Sequence, residues 1–418
     1  MSPPFDEISA TVAALEDELV AVRRDLHQHP ELGRTEVRTT QLLAARFERS
    51  GIPVRRLRGS GLIAHIGPGQ PARTIGLRAD LDALPIREQT GLPFASRTEG
   101  VSHACGHDVH TTAALGAALA LKAVEDDLTL LGIGVRVIFQ PAEEVMPGGA
   151  EDVVAQGGIE GVERIFALHC DPSIDVGSVG LRVGPITAAT DQVDVTLSGM
   201  GGHTSRPHLT QDLTYALAKV VTDVPAALSR RLDPRAAAAL VWGAIHAGGA
   251  HNVIPSTGKV LGTLRMLDAH AWDGSERLVA ELVHEVVSPY GVKADVSVVK
   301  GVPPVVNDAT CVDVLTQAVD EAGALAAPTP QSLGGEDFAW YLARIPGAMA
   351  RLGTRAPGGT TYDLHRGDLV VDEAAIGVGA RTLAGCVLAS SSLEPAGLDN
   401  VRDDAPARLV GLDRVTGR

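Results

Sequence analysis

The feature that most constrains the fold is a change of rhythm inside the chain. Up to about residue 186, apolar strand patterns alternate with helix patterns, and the alternation resumes after about residue 300. Strands separated by helices imply a mostly parallel sheet flanked by helices on both faces. Between 187 and 300 the order differs. DQVDVTLSG reads as a strand, LTQDLTYALAKVV as a helix, AAALVWGAIHA and GKVLGTLRML as strands, WDGSERLVAELVHEVV as a helix and KADVSVV as a strand. That β-α-β-β-α-β block is complete in itself and predicts an inserted, ferredoxin-like two-layer domain. The expected organisation is a larger α/β domain made of residues 1–186 and 301–387, an insertion at 187–300, and a flexible tail at 388–418. The tail segment SSSLEPAGLDNVRDDAPARLV is polar and contains proline.

Within the α/β part, Ile8, Val12, Leu15, Leu19, Val22 and Leu26 form one apolar stripe, predicting a helix that Pro30 ends. A second helix is expected over 36–50, closed by Gly51, and a third over 111–124. Strands are expected at 61–67, 73–84, 134–140 and 163–170. His65 and His246 fall inside strand patterns and read as structural, while His27 and His29 flank a helix end and read as capping or surface residues.

The formal net charge of −15 argues against nucleic acid or an anionic membrane as the main partner. No apolar run approaches the roughly 20 residues that span a bilayer. The N-terminal MSPPFDEISATVAALEDE is acidic and lacks the layout of a secretory signal. Cys105, Cys170, Cys311 and Cys386 are widely spaced, so a reducing cytoplasm is the expected location.

In a doubly wound sheet, ligands bind beyond the carboxyl ends of the strands. Asp80 and Asp82 follow one predicted strand, Glu143 and Glu144 another, and His169 and Cys170 close a third. HACGHDVH (103–110) lies on the loop expected before the helix at 111. A lone histidine after a strand, or a pair of glutamates, usually means nothing more than a solvated surface. Four segments delivering thiol, imidazole and carboxylate to one sheet edge mean a metal site. That donor mixture suits Zn²⁺, with Mn²⁺, Co²⁺ or Ni²⁺ as alternatives. Adjacent carboxylates allow one to bind metal and the other to take a proton from water. GMGGHTS makes no dinucleotide fingerprint, because no acidic residue follows at the required distance in a βαβ unit.

RRDLHQHPELGRTE, GLRADLDALPIRE, HACGHDVHTTAALGAA, QPAEE, GGHTSRPH, HNVIP, GTLRML, GGEDF and LHRGD occur in this order. Together they resemble the metal-dependent amidohydrolases and aminoacylases, the hippurate hydrolase and indole-acetyl amino acid hydrolase branch of a family that also holds carboxypeptidases. The resemblance runs from about residue 20 to 385. It implies a catalytic α/β domain whose inserted lid commonly mediates a homodimer. By motif it implies Cys105, His107, Glu144, His169 and His365 as ligands of two divalent metal ions, with Cys105 bridging. It implies Glu143 as general base, Asp80 behind the ligands orienting a histidine, and His203 on the lid holding the oxyanion, often from the partner subunit. Asn252 and Arg265 would face the substrate carboxylate.

The chain departs from the wider family at Arg78, where a histidine is usual, and at Cys105, where an aspartate is usual. The amidohydrolase branch shares both changes. PAEEVMPGGA is a few residues longer than the glycine-rich loop of many relatives, which bears on the shape of the acyl pocket. The implied activity is hydrolysis of a small-molecule N-acyl amino acid. The alternatives are a dipeptidase or carboxypeptidase with the same metal site, and a non-catalytic metal carrier.

Overall fold

The computed structural model describes residues 3–394. Its contacts divide the described chain into two units. The first holds everything up to Ile186, Val306–Pro330 and everything from Asp337 on; the second holds Thr187–Val305 and Gln331–Glu336. The short GGEDF stretch, expected inside the block 301–387, is thus split between them.

The first unit is built on an eight-stranded sheet in the order Val54–Arg56, Leu62–Ile66, Ile133–Gln140, Arg73–Asp80, Arg164–Asp175, Gly347–Arg355, Ser178–Leu181, Leu325–Pro328. The central strands from Ile133–Gln140 to Gly347–Arg355 pair in parallel. Ser178–Leu181 and Leu325–Pro328 also pair in parallel, while antiparallel pairs stand towards both sides, so the sheet expected to be mostly parallel has four parallel and three antiparallel pairings. Helix His107–Ala123 is buried along most of its length and packs on Ala374–Ser390 and the two N-terminal helices. Both long helices are rich in Ala and Gly, and side chains this small let helices approach closely. A core with only 3% aromatic residues is possible for that reason.

Several boundaries differ from the sequence reading. The helix expected over 8–26 is two helices, Pro3–Ala14 and Glu16–Gln28, separated at Leu15. The helix expected from 111 begins at His107. Gly106, at φ 84°, makes the turn into it, and the His110 amide donates back to the Gly106 carbonyl. The strand at 163–170 runs on to Asp175. Helix Ala374–Ser390 takes in the first residues of the expected tail; from 395 on, that tail lies outside the described residues.

The second unit is a four-stranded antiparallel sheet in the order Ala239–Ala247, Thr257–Met266, Ala189–Ser198, Lys293–Val302. Helix Leu213–Arg231 joins strand Ala189–Ser198 to Ala239–Ala247, and helix Ser275–Val287 joins Thr257–Met266 to Lys293–Val302. Among the described residues no helix is long and apolar enough to cross a membrane.

Candidate metal centre

Three segments of the first unit converge at the C-terminal edge of its parallel strands, and a fourth brings His365. The first is Cys105-Gly106-His107. A Cβ on Gly106 would lie 2.8 Å from Cys170 Sγ, so only glycine permits this approach and the left-handed turn that aims both neighbours inward. The second is the loop after strand Ile133–Gln140. Asp82 accepts the amides of Glu143 and Glu144 through its two oxygens, at 3.0 Å each. A Cβ on Gly149 would lie 1.9 Å from the Pro141 carbonyl, which fixes how tightly the loop closes. The third is His169 on its strand.

Among five overlapping donor groups of the described residues, three combine the implied ligands: Cys105, His107 and His169; Cys105, Glu144 and His365; His107, Glu143 and Glu144; the others are Asp80, His107 and His110, and Glu143, Glu336 and Asp337. Within each, donor atoms lie within 4.8 Å of one another. Cys105 Sγ is 3.5 Å from His169 Nε2, and His365 Nε2 is 3.1 Å from Glu144 Oε1. His107 Nε2 stands 3.8 Å from Glu143 Oε2 and 3.9 Å from Glu144 Oε1. His365 reaches the cluster from a backbone at φ 59°, its amide donating to the Ala104 carbonyl.

The residues fit a divalent cation on two grounds. His107 is fully buried, yet neither ring nitrogen has a hydrogen bond among the described residues. Its nitrogens meet carboxylates only at 3.4 Å or more, and a buried imidazole so short of hydrogen bonds is costly without a ligand. The second ground is charge. Burial alone would depress His107, but Asp80, Asp82 and Glu144 outweigh it and hold it up to about 10. Burial, then Glu144, Glu143 and Asp80, push the Cys105 thiol well above its usual range. The cluster carries more negative charge than its own side chains balance. His169 is different: burial, then Arg351, keep it well below its ordinary value, so its imidazole is neutral. Its Nδ1 donates to the Cys170 carbonyl at 2.8 Å, leaving the Nε2 lone pair aimed at Cys105.

Asp80 Oδ2 stands 3.8 Å from the implied ligand His107 at Nε2, and its closer contacts go elsewhere. Its Oδ1 is 2.7 Å from His110 Nδ1 and its Oδ2 is 2.7 Å from Arg78 Nη1. The Cys170 amide donates to His110 Nε2 at 2.7 Å, so His110 carries its proton on Nδ1 and has no nitrogen left for a metal. Asp80 therefore orients His110, a residue outside the implied ligand set. Asp82, at 3.4 Å from His107 Nδ1, is the carboxylate nearer to an implied ligand. Arg78 bridges Asp80 and Asp337 and donates to Gln140. A buried guanidinium there ties three strand and loop ends together, which a histidine is too short to do.

His27 is the clearest miss of the sequence reading. It is 3% exposed, with Nδ1 2.8 Å from Asp108 Oδ2 and Nε2 3.2 Å from Glu88 Oε1, and Arg23 shares Asp108. His29 does cap its helix, its Nδ1 meeting the Asp25 carbonyl. Burial tends to raise Glu88, but His27, Thr90 and the Ser96 amide outweigh it and bring Glu88 down to about 2. A carboxyl depressed on folding contributes stability above its unfolded value of 4.5 and loses it as pH falls through about 2. Glu88→Gln is therefore expected to cost about 2 kcal/mol at pH 7. The gap to wild type should close between pH 4.5 and about 2 in urea titrations of chelator-treated protein.

In the second unit, His203 and Asn252 are exposed on neighbouring segments. Thr204 donates its amide to the Asn252 carbonyl, and His203 Nδ1 accepts from the Ser205 amide at 3.1 Å. Arg265 lies near the far end of strand Thr257–Met266, its Nη1 donating to Thr190 Oγ1 and the Leu333 carbonyl.

A sheet edge carrying clustered thiol, imidazole and carboxylate donors has the make-up of a divalent-metal centre. The model of peptidase family M20/M25/M40 matches residues 76–389, and the chain belongs to that family. It is 37% identical to the N-acetyl-L-cysteine deacetylase of Bacillus subtilis (strain 168), over 87% of this chain and 86% of the relative. It is 48% identical to a Rhodococcus jostii (strain RHA1) protein named for a glutamate–cysteine ligase. There it covers 88% of its own length but only 46% of the relative, so it spans about half of that protein. Among solved structures it is similar to the Bacillus subtilis YXEP protein, a dinuclear metal-binding peptidase of the M20 family. That similarity has a TM-score of 0.78 at 32% identity, over 90% of this chain and 98% of that one.

Proposed function

We propose that the chain hydrolyses the amide bond of N-acyl amino acids, releasing a carboxylic acid and a free amino acid. The observation that supports this best is the meeting of Cys105, His107, Glu144, His169 and His365 in one cluster, with Glu143 turned towards the same imidazole. Cys105 belongs to two donor groups, which suits it to bridge two cations, zinc first and Mn²⁺, Co²⁺ or Ni²⁺ as alternatives. When bound, such ions polarise an amide carbonyl and lower the pKa of water. Glu143, its amide anchored on Asp82, takes the water proton and passes it to the leaving nitrogen. His203 steadies the oxyanion, and Asn252 and Arg265 receive the substrate carboxylate.

The second unit acts in this reading as a ferredoxin-like lid and dimerisation domain. Val253 pairs with His203 at the start of strand Thr257–Met266, whereas Arg265 lies near its end. Eight residues of strand separate Thr257 from Arg265, roughly 25 Å. One small substrate cannot touch both ends. This supports a homodimer in which His203 of the partner subunit and Asn252 of the partner subunit complete the site beside Arg265. The test is a screen of acetyl, benzoyl and long-chain acyl amino acids beside dipeptides, after chelation and reloading with each metal. Turnover of acyl amino acids is expected. No turnover with any metal, or dipeptides cleaved at least tenfold faster, overturns the reading.

A further inference from the structure

Arg351 lies on strand Gly347–Arg355, directly in register with His169 on the neighbouring parallel strand. Ala348, Ala350 and Leu352 point into the helix-covered core, as do Phe166, Leu168 and Cys170, so Arg351 and His169 share the opposite face. Side chains on adjacent strands at one register stand about 5 Å apart. Arg351 is only 7% exposed, yet its guanidinium has no hydrogen bond or ion pair among the described residues. Its nitrogens are not among the fully enclosed unpaired side-chain atoms.

A guanidinium cannot shed its charge, and burying one without a counter-ion is strongly unfavourable. Other buried arginines here are paired: Arg78 with Asp80 and Asp337, Arg23 with Asp108. Arg351 is the exception, and it stands beside an implied metal ligand. Its planar fork matches a carboxylate bidentately. The α-carboxylate of an acyl amino acid is assigned above to Asn252 and Arg265, so a different anion must meet Arg351.

Resting on the proposed amidohydrolase activity, we propose that Arg351 forms a subsite for a second carboxylate of the substrate. The preferred substrates are then N-acyl amino acids with an acidic side chain or a dicarboxylic acyl group. Shape-matched pairs test this: acetylglutamate against acetylglutamine, acetylaspartate against acetylasparagine, and succinyl against succinamoyl amino acids. Wild type is expected to favour the acidic member of at least one pair by about 10- to 100-fold in kcat/KM. Arg351→Met should abolish that preference, and Arg351→Lys should keep part of it. Equal or better cleavage of every neutral partner by wild type, or an unchanged ratio in Arg351→Met, overturns the subsite.

Thermal shifts of the full chain separate this from failure of the amidohydrolase reading. Succinate or glutarate should raise Tm in wild type and not in Arg351→Met, whether or not any amide is cleaved. No shift in wild type, or an equal or larger one with inorganic phosphate or chloride, overturns the carboxylate assignment. Ligand-free Arg351→Met should melt at or above the wild-type temperature, since it removes an uncompensated charge. A large loss of Tm would show a structural guanidinium and overturn the proposal.

Discussion

Glu143→Gln is expected to bind metal like the wild type and to lose about 10²–10⁴-fold in kcat. The substitution preserves shape and removes only the basic oxygen. The Glu143 amide is held by Asp82, as is that of Glu144, so the loop keeps its course and Glu144 its place. Glu143 stands 3.8 Å from His107 Nε2, near enough to share the space in which a water would react. Metal content by elemental analysis and single-turnover rates make the check. Normal turnover in the variant removes Glu143 from proton transfer; loss of metal together with activity makes it a ligand instead.

Cys105→Ala is expected to take metal content from about two ions per chain to one or fewer, with kcat/KM down at least about 100-fold. Its Sγ is the donor common to the group with His107 and His169 and the group with Glu144 and His365. Among the three groups of implied ligands His107 and Glu144 each belong to two as well, but only the thiol joins the group holding His169 to the group holding His365. Cys105 is buried, and Gly106 leaves no room for a shifted backbone, so a neighbour cannot replace it. Competition with a chromogenic chelator measures both affinities. Two ions retained at unchanged affinity would show that the thiol bridges nothing.

Much of this architecture was legible because its signals are local. The periodicity of Ile75, Leu77 and Ala79, and the apolar run at 134–140, mark strands that the structure contains. The six-element order of the insertion can be read from the chain and is present as a four-stranded sheet with two long helices. Strand ends in such a sheet pointed to one edge as the place for a metal, and the motif resemblance then named the implied donors. The start of the helix at His107 was harder to see. Its cap is Gly106, a residue that sequence patterns associate with helix ends, and HACGHDVH therefore read as loop. With the helix begun at His107, the i,i+3 spacing would have placed His110 beside it on one face.

The sequence by itself determined the order of strands and helices and the candidate donor side chains that its motifs imply. Each follows from neighbours a few residues apart, through hydrophobic period and turn chemistry. Only the tertiary structure decided which polar groups meet. His27 finds Asp108 and Glu88, Arg78 finds Asp337, and Asp80 takes His110. These partners lie from 30 to 259 positions apart, and no local pattern encodes them. The physical reason is that a buried charge must find a counter-charge wherever the packed backbone brings one.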